Sequence, residues 1–173
     1  MIMKLTGSVI VFMSSVFLGY YLSMRDFYRI NDLREIKKAL FIILSEIDYS
    51  ISTVPEAVFK TSEKVKEPIS EIFKYLSSEL SKKNGESLDK VWKHVLNKKY
   101  SDTYLKEEDV ELLEGFGKTL GYLDKKMQIN NINITISYID RKIDEIYSQA
   151  LSNKKMYKSL GILCGIGIVV VLF

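Results

Sequence analysis

The charged residues of this chain are confined to its middle, and no other feature of the sequence constrains the fold as strongly. All 22 acidic residues and all but one of the 25 basic residues lie between Arg25 and Lys158; the exception is Lys4. A charged segment with apolar sequence at both ends predicts one central domain, residues 25–158. The terminal segments, residues 1–24 and 159–173, are predicted to insert into a membrane.

The N-terminal apolar segment has the length of a membrane helix. No charge occurs from Leu5 to Leu22, and a helix needs about 20 mostly apolar residues to cross the hydrocarbon core. A cleaved signal peptide is the alternative, but no Ala-x-Ala-like cleavage site follows. The C-terminal segment, from Ser159 onward, is shorter than a full span unless Tyr157 and Lys158 reach the interface.

Small residues recur one helical turn apart in both apolar segments. Ser15 and Gly19 have this spacing in the first segment, and Gly161 and Gly165 have it in the second. In lipid, such spacing lets two helix backbones approach closely. These four residues are predicted contacts between membrane helices, with chance occurrence of common small residues as the alternative.

Basic residues at the borders of the apolar segments predict the orientation in the membrane. Arg25 and Arg29 follow the first segment, and Lys154 and Lys158 precede the second, whereas only Lys4 lies on the far side. Lys and Arg concentrate in cytoplasmic loops. We therefore expect the central domain to be cytoplasmic, at a bacterial cell membrane.

The central segment predicts an all-α bundle of about six helices. Thr53 and Glu56 form a capping-box pattern, Ser87 can begin a helix, and Asp102 or Thr103 can cap another. Spacings of three and four between apolar residues indicate that the first and last helices are long and pair through those faces. The stripes comprise Ile30, Leu33, Leu40, Leu44, Ile47 and Ile51 in the first helix and Ile129, Ile132, Ile136, Ile139, Ile143, Ile146 and Ala150 in the last.

The composition argues against most enzyme chemistry. Cys164 and His94 are the single Cys and the single His, too few for a disulfide or a Cys/His zinc site. Gly117 begins a Gly-Lys-Thr sequence, but Leu112 occupies the position of the first glycine of a phosphate-binding loop. A net charge of +3 does not indicate nucleic-acid binding. We predict a non-enzymatic protein without cofactor, metal or small-molecule substrate.

An acidic run opens the predicted fifth helix and leads into a glycine-containing segment. The acidic side chains offer a field complementary to basic groups, and the glycines let a backbone come close. We predict a partner-binding surface here, with tight packing inside the bundle as the alternative for the glycines. The predicted surface consists of Glu107, Glu108, Glu111, Glu114, Gly117 and Gly121.

Four short motifs, in order along the chain, resemble a known family. They are Leu33-Arg34 with Ala39-Leu40; Glu46-Ile47-x-Tyr49; Phe116-Gly117-x-Thr119-Leu120-Gly121-x-x-Asp124; and Lys155-Met156-x-Lys158-Ser159-Leu160-Gly161. Together with the terminal apolar segments, they are similar to the stage III sporulation protein AB family. That family in turn resembles the cytoplasmic helical domain of platform proteins in type II secretion and type IV pilus systems.

The resemblance implies a function in endospore formation. It implies a platform component of the secretion-like channel that links mother cell and forespore, located in the mother-cell membrane. The expected partners are other membrane proteins of that channel, a secretion-type ATPase and membrane lipid. The alternative is a membrane-anchored coiled-coil scaffold or regulator, which would lack a compact head of short helices.

Overall fold

The structure is a computed structural model, and it describes residues 2–49, 53–82, 86–119 and 125–172. Across these ranges it contains six α-helices, one short 3-10 turn at Tyr100–Asp102 and no β-strand. The all-α prediction is confirmed. The helices are α1 (Ile2–Tyr49), α2 (Val54–Lys64), α3 (Ile69–Ser81), α4 (Leu88–Lys99), α5 (Glu107–Thr119) and α6 (Lys125–Leu172).

The chain divides into two compact units. The central unit is Arg29–Ile143, and the terminal unit combines Met1–Tyr28 with Asp144–Phe173. Within the described ranges, no helix has a stretch that is both long enough and apolar enough to cross a membrane. The insertion of residues 1–24 and 159–173 stays a prediction.

The start of α2 follows the predicted capping pattern. The Thr53 backbone N–H donates a hydrogen bond to Glu56 Oε2 at 3.0 Å, and Pro55 lies in the first turn, where its missing N–H costs nothing. Helix α4 likewise begins directly after Ser87. The capping signals therefore located both helix starts.

The start of α5 differs from the prediction. Asp102 ends the 3-10 turn, and Thr103 Oγ1 accepts a hydrogen bond from the Leu105 backbone N–H at 3.1 Å. The helix begins later, at Glu107, where Asp109 Oδ2 accepts a hydrogen bond from the Lys106 N–H at 2.8 Å. Capping by Asp102 or Thr103 was wrong because Thr103 closes a local turn of its own.

In the central unit, α1 and α6 pair in opposite directions. Lys37 forms an ion pair with Asp140, and Asp48 forms one with Lys125, so rising residue numbers in α1 meet falling numbers in α6. The ammonium group of Lys37 also lies over the ring of Phe41. The buried apolar residues of these two helices in the central unit include Ile30, Leu33, Ile36, Ala39, Leu40, Ile43, Ile132, Ile136, Ile139 and Ile143.

The short helices pack in sequence, α2 on α3, α3 on α4 and α4 on α5. Trp92 of α4 lies between two aromatic rings, with centroid distances of 6.0 Å to Phe73 and 5.5 Å to Phe116, both edge to face. Its indole N–H donates a buried hydrogen bond to the Leu113 carbonyl at 2.7 Å. A buried indole needs such a partner, so this bond fixes α4 against α5.

The terminal unit has an interior and a large apolar exterior. Phe27 packs edge to face on Tyr147 at a centroid distance of 6.3 Å, and Ile146 and Ala150 are buried. Other large side chains face outward. The exposed apolar side chains include Val9, Ile10, Met13, Phe17 and Leu18 in α1 and Leu160, Ile162, Leu163 and Ile166 in α6.

Ile139 provides a test of the α1–α6 core. Its side chain is completely buried, so Ile139→Asp would place an unpaired carboxylate among apolar groups and should cost several kcal/mol, on the order of the largest single-site effects. Urea unfolding of the two proteins measures this loss. Asn133→Asp, at an exposed position of the same helix, is the control, and an unfolding midpoint shared by all three proteins would contradict the buried position.

Candidate functional site

A cluster of four charged side chains fixes the beginning of α5, and we call Arg29, Glu108, Asp109 and Lys142 the Arg29 cluster. Arg29 Nε donates to Asp109 Oδ2 at 2.7 Å, and Arg29 Nη2 donates to Asp109 Oδ1 at 2.8 Å. The same Nη2 donates to Glu108 Oε1 at 2.6 Å. Lys142 Nζ donates to Glu108 Oε2 at 2.8 Å. The cluster thus ties α5 to both long helices.

The two acidic members of the cluster differ in burial. The side chains of Arg29 and Asp109 are 4% and 2% exposed, whereas that of Glu108 is 50% exposed. Removing one partner of a buried ion pair leaves an uncompensated charge, which typically costs about 3–5 kcal/mol. We therefore expect the loss of either partner of the Arg29–Asp109 pair to destabilise the packing of α5 on α1.

The charges of the cluster shift its titration. Hydrogen bonds from Lys142 and then from Arg29 lower the pKa of Glu108 to about 2. The hydrogen bond to Glu108 raises the pKa of Lys142. Burial acts to lower the pKa of Arg29, but its bonds to Asp109 and Glu108 outweigh that effect and raise it. All three groups are held in their charged forms.

A second buried carboxylate lies one turn after Arg29 on α1. Asp32 is 2% exposed, and its Oδ2 accepts a hydrogen bond from the Tyr104 backbone N–H at 2.8 Å. Burial raises the pKa of Asp32, and the Tyr104 hydrogen bond offsets part of this rise. Asp32 thus holds the segment that leads into α5.

The burial of Arg29 and of Asp32 was not predicted from the sequence. Arg29 was interpreted only as a border charge, and Asp32 was not considered. The sequence feature that could have predicted this burial is the position of the two residues along α1. Arg29, Asp32 and Ile36 lie on the same buried helix face as Leu33 and Leu40. A charged residue on a core-facing stripe needs a buried partner, but the sequence does not identify Asp109 as that partner.

The predicted acidic surface separates into three environments. Glu107 and Glu111 are exposed and form no ion pair within the described residues. Glu108 belongs to the Arg29 cluster, and Glu114 pairs with Lys93 at 3.1 Å. Asp109, which belongs to the same acidic run, is buried with Arg29. Glu107 and Glu111 therefore form one exposed stripe that is open to a partner.

The glycines of α5 also differ. Gly117 is buried, and a Cβ atom added there would lie 2.2 Å from Trp92 Cδ1, so the internal packing of the indole accounts for this glycine. Gly115 is exposed, and an added Cβ would meet nothing within 4 Å. Gly121 lies outside the described residues.

The predicted membrane contacts belong to the terminal unit. Gly19 is buried and Ser15 is half-buried there. The packing of Gly161 and Gly165 lies outside what the structure describes. A helix-packing function of these four residues stays a prediction.

The fold and the site define an all-α bundle whose candidate site is a charged helix face rather than a cleft. The sequence model of one family, stage III sporulation protein AB, matches residues 4–173, and the chain belongs to that family. This confirms the family resemblance of the sequence motifs.

The chain is similar to a curated relative and to a solved structure of the same name. It is 26% identical over 170 residues to stage III sporulation protein AB of Bacillus subtilis (strain 168), covering 98% of this chain and 99% of the relative. A solved structure of stage III sporulation protein AB superimposes with a TM-score of 0.67 at 24% identity, covering 72% of this chain and 97% of that chain. The structural match supports the fold alone.

The two helical glycines predict opposite effects of one substitution. Gly117→Ala should destabilise the protein because the added methyl collides with the buried ring of Trp92. Gly115→Ala has open space and should stabilise it by up to about 1 kcal/mol through helix propensity. Thermal unfolding of both variants measures the difference, and equal shifts in the same direction would contradict the packing of Trp92 on Gly117.

The lowered pKa of Glu108 predicts a dependence of stability on pH. Since the folded pKa is about 2 and the ordinary value is 4.5, the ionised group contributes stability above pH 4.5 that is lost as the pH falls toward 2. Glu108→Gln should therefore be less stable than the wild type at pH 7 and approach it near pH 2. Solvent screening limits the size of this effect at a half-exposed site.

Urea unfolding between pH 7 and pH 2 measures the effect. Glu111→Gln serves as the matched control because Glu111 forms no ion pair within the described residues. A constant difference between Glu108→Gln and the wild type across this range would contradict the ion pairs of Glu108.

Proposed function

We propose that the chain is a non-enzymatic membrane platform component of the secretion-like channel between mother cell and forespore during endospore formation. The observation that carries the proposal is the family match, which extends over residues 4–173 and so includes both apolar ends and the central unit. The name of the Bacillus subtilis relative supports a sporulation role. The channel and platform assignment comes from the family resemblance of the motifs.

The exposed apolar surface of the terminal unit supports attachment to the mother-cell membrane. Phe17 is 72% exposed, and Leu163 is 61% exposed. Contiguous exposed apolar side chains are characteristic of surfaces that contact lipid or another protein. The basic residues at the inner borders of both segments support a cytoplasmic location for the central unit.

The central unit favours this function over the alternative, a simple coiled-coil scaffold. A scaffold of that kind needs only the paired long helices, whereas here α2, α3, α4 and α5 also pack with one another. The Arg29 cluster joins α5 to α1 and α6, and such positioning matters when α5 presents a surface. The outward stripe through Glu107 and Glu111 is our proposed docking face for a basic surface of another channel protein or of a secretion-type ATPase.

Orientation and function can be tested together in a sporulating strain that lacks the native copy. Ser78 is exposed in the central unit, and Cys164 is the single native cysteine. The Ser78→Cys, Cys164→Ala variant should fractionate with membranes, restore spore formation and resist a membrane-impermeant maleimide in intact mother cells. Permeabilised cells supply the control, since labelling should then be complete.

Two results would overturn the proposal. Labelling of intact cells as fast as that of permeabilised cells would reverse the orientation. Normal spore yield in a strain without any copy of the protein would remove the proposed role in the channel.

A further inference from the structure

A basic groove lies on the outer side of α1 in the central unit. It encloses about 430 Å³ and is lined mainly by α1, with Lys64 of α2 at its edge. Arg34, Lys38 and Lys64 are exposed and form no ion pair within the described residues. Glu46, the one acidic side chain of the groove, is already paired with Lys60 at 2.9 Å. The groove therefore carries an uncompensated positive charge.

The groove also exposes an aromatic ring. Phe41 is 47% exposed and lines the groove beyond Lys38. Arg34, Lys38, Phe41 and Ser45 follow one another at helical spacings, so they share one face of α1. A large exposed ring beside unpaired cations is typical of a protein-binding surface.

The outer stripe of α5 has the complementary pattern. Glu107, Glu111, Gly115 and Lys118 follow one another at helical spacings and are all exposed. The two acids are four residues apart, as are the two cations of α1, which is about 6 Å along either helix axis. Gly115 follows Glu111 by four residues and Phe41 follows Lys38 by three, so their levels differ by about 1.5 Å. An added Cβ at Gly115 would meet nothing within 4 Å. No internal contact accounts for this glycine.

From this match we infer that two copies of the chain associate head to tail, with the basic α1 groove of one copy holding the acidic α5 stripe of the next. The helices run parallel, Arg34 faces Glu107, Lys38 faces Glu111, and the Phe41 ring fits the hollow at Gly115. Because the contact joins two different surfaces, each copy can bind a further copy through the same contact. The assembly is a ring when the rotation between neighbouring copies returns to the first copy. The inference takes only the α5 docking face from the proposed function and assigns a second copy of this chain as its occupant, in place of another channel protein or the ATPase.

Site-specific cross-linking of the full-length protein in a non-ionic detergent tests this register. One copy carries Ser45→Cys and the other carries Lys118→Cys, both with Cys164→Ala, because positions 45 and 118 face each other in the proposed contact. A short bismaleimide should join the two proteins when mixed, and each variant alone should cross-link at least tenfold less. Equal yields in the mixture and in the separate proteins would overturn the register.

Charge reversal then tests the pairing itself. Arg34→Glu with Lys38→Glu on the Ser45→Cys copy should lower the cross-linked yield at least tenfold through like-charge repulsion. Adding Glu107→Lys with Glu111→Lys to the Lys118→Cys copy should restore it. Lys90→Glu, at an exposed position of α4, is the matched control and should leave the yield unchanged. Failure of the doubly reversed mixture to recover would contradict the pairing.

The hollow at Gly115 has a separate test. Gly115→Leu should preserve or raise the thermal unfolding temperature, since the site is open within one chain and Leu favours a helix over Gly, yet lower the cross-linked yield by blocking Phe41. An unchanged yield would overturn the inference for this contact. A second combination of results would also overturn the inference. In it, the protein shows no cross-linking but binds vesicles that contain phosphatidylglycerol, and Arg34→Glu with Lys38→Glu abolishes that binding. Because spore formation is not the readout, loss of cross-linking and loss of the proposed function are separate results.

Discussion

The position of α5 depends on one buried ion pair, Arg29 with Asp109. Arg29 meets Asp109 through two parallel hydrogen bonds across a sequence separation of 80 residues. Desolvation offsets most of the attraction in a buried pair, so its net contribution to stability is small, whereas the loss of either partner is costly. The main effect of the pair is thus on where α5 packs, and its net effect on the free energy of unfolding is small. The bidentate geometry favours one register of α5 against α1, because both oxygens of the Asp109 carboxylate must meet the planar guanidinium.

A second close contact completes this arrangement from the other side of α5. The ring of Trp92 packs so close to the Gly117 backbone that a side chain at position 117 would collide with it. The indole N–H donates a hydrogen bond to the Leu113 carbonyl. The Arg29 cluster fixes the beginning of α5, and Trp92 fixes its last turns. Two constraints at separate points along a helix determine both its rotation and its translation, and they therefore determine which residues of α5 face solvent.

The sequence predicted most of the helices but not the interactions that position them. Apolar spacing and capping signals are local, so the starts of α2 and α4 and the stripes through Leu40 and Ile139 could be recognised directly. The cap of α5 was misplaced because Thr103 and Asp109 both satisfy capping rules and only tertiary contacts choose between them. The partners of Arg29 lie far away in sequence, and the difference between the two glycines of α5 appears only once Trp92 is placed.

The buried and the exposed residues of α5, its inner and outer rows, are under different physical constraints. The inner row, with Asp109 and Gly117, is fixed by burial, since each position has a partner that tolerates no other side chain. The outer row, with Glu107, Glu111 and Gly115, makes no ion pair and no close packing contact within the described residues. Changes in the outer row can therefore alter what α5 binds without altering where α5 lies. A helix can recognise a partner in a defined register when buried residues fix its position and exposed residues are free to vary. The inner and outer rows of α5 meet these two conditions.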